Sequence, residues 1–142
     1  MQTDTPRIMV STFRLYLLRA NYLVISLFLT TQIWPLLFHH RPWSVMHGVA
    51  VCLLAAMAPL VLLGLRYPLK MLPILLFEMT WKTIWVIAIG IPLWRAHQID
   101  ADTWETFKAC LLGVVIFPIS IPWPYVFANY LKPRGDRWGR AA

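Results

Sequence analysis

Residues 72–94 read LPILLFEMTWKTIWVIAIGIPLW, an apolar run that contains one acid, Glu78, and one base, Lys82. A helix needs about 20 mostly apolar residues to cross the hydrocarbon core of a bilayer. This run is long enough to do so. It therefore predicts a membrane-spanning helix with an ionisable pair inside it.

Three further apolar runs of similar length cover residues 20–38, 46–65 and 107–130. The joints between the runs are short, so neighbouring helices are expected to run antiparallel. Membrane-spanning backbone must also satisfy its own hydrogen bonds, which favours helices. The pattern predicts an all-α protein in which residues 1–142 form a single domain, an up-and-down bundle of four transmembrane helices.

Composition supports the same class. Of 142 residues, 59% are hydrophobic and 13% are charged, against roughly 45–50% and 25% in an ordinary soluble domain. A water-soluble chain with so few charges could not cover its own core. Composition therefore excludes a soluble globular enzyme, a disordered chain and a fibrous repeat, and predicts an integral membrane protein.

The basic residues are distributed unequally between the two ends of the predicted bundle. Three lie on the side of the first and third joints, and nine lie on the side of the chain termini. These nine are Arg7, Arg14, Arg19, Arg66, Lys70, Lys132, Arg134, Arg137 and Arg140. By the positive-inside rule both termini are cytoplasmic, and the layout is typical of a small bacterial inner-membrane protein.

The formal charge of +7 also bears on partners. Because the bases sit between apolar runs, they predict contact with the headgroups of anionic membrane lipids. No basic stripe interleaved with exposed aromatic residues remains outside the spans, so nucleic acid is not an expected partner.

Glu78 and Lys82 are the candidate functional site. They are four residues apart with the acid first, the favourable order for an ion pair on one helix face. Lys82 lies roughly 15 Å from the inner end of the run, close to mid-membrane. We expect the two charged groups within about 4 Å of each other on an inward-facing surface, with Trp81 and Trp85 shielding the ammonium.

Three interpretations of this pair remain open. In a proton or ion relay, Glu78 would bind the cation and Lys82 would tune its pKa. In an assembly device, the pair would engage a polar group of another helix or subunit. In the third interpretation the pair neutralises itself and only fixes the rotation of its helix in the bundle.

Pro118, Pro122 and Pro124 predict a helix break in the fourth run. Prolines at 118 and 122 leave the carbonyls of residues 114 and 118 without their helical donors, and Ser120 is a candidate local partner. The break has two readings: a binding site lined by a broken helix, or a kink that leads into the membrane interface.

His39, His40 and His47 gather near the first joint and are candidates for haem or metal ligands. Histidine is ordinary at the headgroup level, however, and we expect no metal and no cofactor.

The remaining reactive side chains have structural explanations. Cys52 and Cys110 lie in apolar sequence, which predicts two buried thiols rather than a disulfide. Asp102 followed by Glu105 predicts a capping box that opens the fourth helix.

Taken with the size of the chain, these features predict a non-enzymatic polytopic membrane protein that acts through helix–helix association. It would be a homo-oligomer or an accessory subunit of a larger complex. The alternative is a transporter or channel whose pathway lies at a subunit interface lined by Glu78 and Lys82. A membrane redox or lipid-modifying enzyme is disfavoured because the nucleophile and metal sets are missing.

Overall fold

The computed structural model describes residues 9–39, 42–135 and 138–139, and every regular element in these ranges is helical. Four helices are long and apolar enough to span a membrane: α1 (Thr12–Phe38), α2 (Val45–Arg66), α3 (Leu72–Arg95) and α4 (Ala101–Ser120). A short helix α5, residues 123–131, follows. The predicted all-helical chain with four membrane-length helices is confirmed. The predicted positions outside the described residues are Arg7, His40, Arg41, Arg137 and Arg140.

Helix α1 begins at Thr12, well before the predicted start at residue 20. The hydroxyl oxygen of Ser11 accepts a hydrogen bond from the backbone N–H of Arg14 at 3.3 Å, which caps the first turn. With 27 residues, α1 is about 40 Å long, which exceeds the thickness of the hydrocarbon core.

Helix α4 is capped by Asp100, so the predicted capping box at Asp102 is wrong. Asp100 Oδ1 accepts the backbone N–H of Thr103 at 2.7 Å, and hydrogen bonds from Thr103 hold the pKa of the Asp100 carboxyl below its usual value. Glu105 instead accepts a hydrogen bond from Lys108 at 2.7 Å.

Helices α1 and α3 share a backbone feature that the sequence analysis did not identify. Each contains one π-helical turn, Leu29–Ile33 in α1 and Val86–Gly90 in α3, and each turn ends two residues before a proline, Pro35 or Pro92. A proline ring clashes with the carbonyl four residues earlier. That carbonyl belongs to the middle residue of the wider turn, where the extra width makes room for the ring.

Pro59, inside α2, leaves the carbonyl of Ala55 without its helical donor. The indole Nε1 of Trp34, on α1, donates to this carbonyl at 3.2 Å. An indole N–H of a neighbouring helix therefore supplies the hydrogen bond that this carbonyl could not obtain from the hydrocarbon of a membrane.

The two cysteines differ in their environment. Cys110 is buried in a small cluster with Val86 and Phe107, whereas Cys52 is exposed on α2, and both thiols are free. The prediction of two buried thiols is wrong for Cys52, because much of the surface of each helix in a small bundle faces outward rather than inward.

Helix α1 packs along α2 through one stripe of side chains. The buried apolar residues of α1 recur every three or four positions, as one helix face requires: Leu18, Tyr22, Ile25, Leu29 and Ile33. The buried residues that face them on α2 are small or β-branched: Val51, Ala55, Ala58 and Val61. Helix α3 packs mainly along α4.

At Gly64 the ring of Tyr22, on α1, lies directly against the backbone of α2. A Cβ atom at Gly64 would lie 2.3 Å from Cδ1 of Tyr22, so only glycine leaves room for this ring. The Tyr22 hydroxyl then donates to the carbonyl of Pro68 at 2.9 Å. Small residues allow such close approach between membrane helices.

We expect Gly64→Ala to destabilise the protein by about 1–3 kcal/mol, because overpacking would displace the Tyr22 ring. Gly48→Ala is the matched control, since a Cβ there meets nothing within 4 Å, and alanine should be neutral or slightly stabilising in that helix. Unfolding in mixed detergent micelles measures both. Equal stability of the two variants would show that Tyr22 does not depend on Gly64.

Candidate functional site

Glu78 and Lys82 lie on the face of α3 that is turned towards α4. Glu78 is 1% exposed and the Lys82 side chain is 15% exposed. Lys82 Nζ donates to Glu78 Oε2. The ion pair that the spacing predicts is present, and it is enclosed by protein.

Helix α4 receives the Lys82 side chain at Gly113. A Cβ atom at Gly113 would lie 2.7 Å from Cδ of Lys82, so the aliphatic stem crosses directly over the α4 backbone. The ring centroid of Phe117, one turn later, lies 5.7 Å from Lys82 Nζ. Sequence reasoning missed both residues; the only signal was a glycine in an apolar helix.

Trp81 contacts both members of the pair. Its indole Nε1 donates to Glu78 Oε2 at 3.2 Å, and its ring centroid lies 4.2 Å from Lys82 Nζ. The carboxylate thus gains a second donor, and the ammonium gains a cation–π contact. Trp85 packs instead against Phe107, with ring centroids 6.5 Å apart. Of the four predicted residues, three form the site and Trp85 belongs to the adjacent apolar cluster.

The geometry favours the third interpretation, a self-neutralised pair. Within the described residues, Glu78 and Lys82 contact each other, Trp81 on α3 and Phe117 on α4. Separating the charges would leave a carboxylate without its counter-ion in a low-dielectric interior, which costs several kcal/mol. A pair that stays closed in this way would hold α3 at one rotation against α4.

At the helix break at the end of α4, a side chain of the same chain donates to a backbone carbonyl that has no helical donor. Pro122, which begins α5, leaves the carbonyl of Pro118 without a helical donor. The indole Nε1 of Trp123 donates to that carbonyl at 2.8 Å. Ser120, the predicted partner, donates instead to the carbonyl of Ile116 at 2.9 Å.

Two further groups at the break are accounted for. Pro124 occupies the first turn of α5, where a missing N–H leaves no helical bond unmade. The carbonyl of Ile121 accepts a hydrogen bond from Arg14 Nη1 at 3.0 Å. These partners are those expected of a kink, and an open cavity lined by Arg14, Pro122 and Pro124 lies beside the break.

The described members of the predicted histidine group lie at the surface. His39 and His47 are both exposed, and His47 lies beside Trp43, with ring centroids 5.5 Å apart. His40 lies outside the described residues. Within the described ranges, no group of three or more His, Cys, Asp or Glu side chains is placed to hold a metal ion.

No known protein family, curated protein or solved structure matches this chain. The four apolar helices fit a small integral polytopic membrane protein, and any finer function rests on the geometry of the described residues.

We expect Lys82→Met to lower stability by about 3–5 kcal/mol, because it leaves the Glu78 carboxylate buried without a counter-ion. The double variant Lys82→Met with Glu78→Gln removes both charges and should recover much of that loss. Folded yield and detergent unfolding curves measure the difference. If the single variant is as stable as the double, the two charges are not energetically coupled.

Proposed function

We propose that this protein acts through helix–helix association in a bacterial inner membrane, as a homo-oligomer or as an accessory subunit of a larger complex. One observation carries the proposal: an outward-facing polar turn in α1. This polar turn consists of Thr30, Thr31 and Gln32, and all three residues are exposed.

The proposed arrangement is an up-and-down bundle with both termini in the cytoplasm. The short connections between consecutive helices support antiparallel neighbours. Nine of the basic residues would then lie on the cytoplasmic side and three on the opposite side, as the positive-inside rule requires.

Within the polar turn, no hydrogen bond to another described residue is made by the side chain of Thr30 or Gln32, and Gln32 carries the larger polar group. The Thr31 hydroxyl donates to the carbonyl of Leu27 at 2.7 Å and is satisfied inside its own helix. If the hydrocarbon region begins near Arg19, Gln32 lies about 20 Å further along α1 and therefore still inside it. An amide exposed to hydrocarbon costs a few kcal/mol unless it is hydrogen-bonded.

Comparison with α3 shows that the π-helical turn itself does not require polar residues. The turn in α3 has the same alternation of one buried, three exposed and one buried residue. Its three exposed positions are Ile87, Ala88 and Ile89, and Ile89 precedes its proline by the same three residues as Gln32. The polar character of the α1 turn therefore needs another explanation, and a partner helix provides one.

A second copy of this chain is the partner that the chemistry of Gln32 fits best. A primary amide offers two donors and an acceptor, so two such groups are self-complementary across a twofold axis. A polar helix of a different subunit would satisfy the amide equally well. That outcome would make the protein an accessory subunit.

The contacts of Glu78 and Lys82 argue against a transport pathway lined by this pair. The carboxylate already binds an ammonium and an indole N–H, and the ammonium is shielded by two aromatic rings. A conducting pathway needs sites that bind an ion and release it again. A closed internal pair is poorly suited to that role.

We expect Gln32→Ile to weaken self-association by about 3- to 30-fold, the range that corresponds to one interhelical hydrogen bond in a membrane. Isoleucine is the residue at the corresponding position of α3, so the turn can accommodate it. Energy transfer between labelled copies in liposomes, at a series of protein-to-lipid ratios, measures the dissociation constant.

Thr80→Val is the matched control. It removes an exposed hydroxyl from another helix, but one that already donates to the carbonyl of Leu76 at 2.7 Å. Its dissociation constant should equal that of the wild type. Homo-oligomerisation is wrong if the wild type is monomeric at every ratio, and the role of Gln32 is wrong if both variants behave alike.

The proposed orientation has its own test. A fluorescent protein that matures only in the cytoplasm should be bright when fused after residue 142. An alkaline phosphatase fused at the same place should be inactive, since it requires the periplasm. Insertion of the same reporters after Gln98, in the connection between α3 and α4, should give the reverse result. Phosphatase activity at the C-terminal fusion would contradict the charge-based orientation.

A further inference from the structure

A small cavity lies where the connection between α2 and α3 meets the beginning of α1. Its volume is about 210 Å³, below the roughly 300–1,000 Å³ of pockets for drug-sized ligands. It is lined by Leu15, Arg19, Tyr67, Pro68, Leu69 and Lys70. Its walls combine two cationic side chains with apolar ones.

Arg19 is held in place at this cavity. Its Nε donates to the carbonyl of Leu65 at 3.1 Å, and its guanidinium lies 5.7 Å from the ring centroid of Tyr16. Leu65 belongs to the last turn of α2, whose carbonyls lack helical donors. Because a guanidinium has five N–H groups, this bond leaves donors available for a ligand.

The Tyr67 ring lies beside both Lys70, which lines the cavity, and a third cation, Arg66. The guanidinium of Arg66 and the ammonium of Lys70 each lie 5.5 Å from its ring centroid. Within the described ranges, the carboxylates that form ion pairs are Glu78 and Glu105, and each pairs with a lysine elsewhere. The positive charge at the cavity is therefore not neutralised by the described part of the chain.

We propose that this cavity binds the phosphate of an anionic phospholipid headgroup. A guanidinium matches a phosphate with paired hydrogen bonds, and an ammonium adds a point charge. Leu15 and Leu69 offer apolar surface to the glycerol and upper acyl chain, which a free phosphate would not use. Basic pockets between membrane helices are suited to such headgroups.

The site differs from a general attraction between a basic surface and an anionic membrane. If only a general attraction to the basic surface held the lipid, Lys70 and the tail residue Lys132 would contribute equally to binding. Both are exposed lysines in the predicted cytoplasmic group. The cavity predicts that Lys70 matters and Lys132 does not. This inference requires only that the protein is in a membrane, so it does not depend on self-association.

Native mass spectrometry of the purified full chain tests the site. Wild-type protein exchanged from mixed phosphatidylglycerol and phosphatidylcholine micelles should retain phosphatidylglycerol preferentially. Lys70→Gln should reduce this retention about fivefold, as expected for one basic residue at a membrane surface. Lys132→Gln should leave it unchanged. Lys70 is exposed, so its replacement should not impair folding, whereas Arg19 also caps α2 and is left intact.

A parallel arm distinguishes lipid from free phosphate. Thermal stabilisation by phosphatidylglycerol, but not by millimolar inorganic phosphate, would support the lipid. Stabilisation by inorganic phosphate that Lys70→Gln abolishes would overturn the lipid assignment. Equal loss of phosphatidylglycerol in the two lysine variants, or no preference over phosphatidylcholine, would overturn the site itself.

Discussion

The hydrocarbon core of a membrane offers no water to a carbonyl, an amide or an ammonium, so each polar group there must find a partner in protein. Two carbonyls freed by prolines in the described residues are hydrogen-bonded in that way. Pro59 and Pro122 each leave one carbonyl without a helical donor, and in both cases an indole N–H, from Trp34 or Trp123, takes its place. Trp81 plays the same part for the Glu78 carboxylate. Tryptophan is suited to this role because it combines one donor with a large apolar surface.

The same constraint explains why glycine determines how the helices pack. Lipid is as apolar as leucine, so membrane helices associate through close packing and polar contacts rather than through the hydrophobic effect. Gly64 allows the Tyr22 ring to reach α2, and Gly113 allows the Lys82 side chain to lie across α4. In each case the side chain that fills the space ends in a polar group with a partner: the Tyr22 hydroxyl on Pro68, the Lys82 ammonium on Glu78.

The features that could be predicted from sequence depend on composition or on spacing within one helix. Membrane-length helices follow from apolar runs, and the Glu78–Lys82 contact follows from four-residue spacing. The cap of α4 could not be predicted, since Asp100 and Asp102 are both plausible and the backbone path selects the first. The role of Gly113 depends on the register between two helices, which no local pattern encodes. The π-helical turns had only an ambiguous sequence signal, because Pro35 and Pro92 lie inside apolar runs but so does Pro59, whose helix has no such turn.

The relative costs of exposing different polar groups indicate which of them can serve reversible association. A charge removed from its partner inside protein costs several kcal/mol, so the Glu78–Lys82 pair is suited to a permanent contact within the bundle. An amide costs less to leave unpaired, and polar contacts between membrane helices contribute only about 0.6–2 kcal/mol. A hydrogen bond of that strength allows a partner to bind and dissociate as the concentration of the protein in the membrane changes. In the proposed function, the outward-facing Gln32 would serve reversible association and the inward-facing ion pair would serve as a rigid frame, so the two tasks would fall to different polar groups of the same chain.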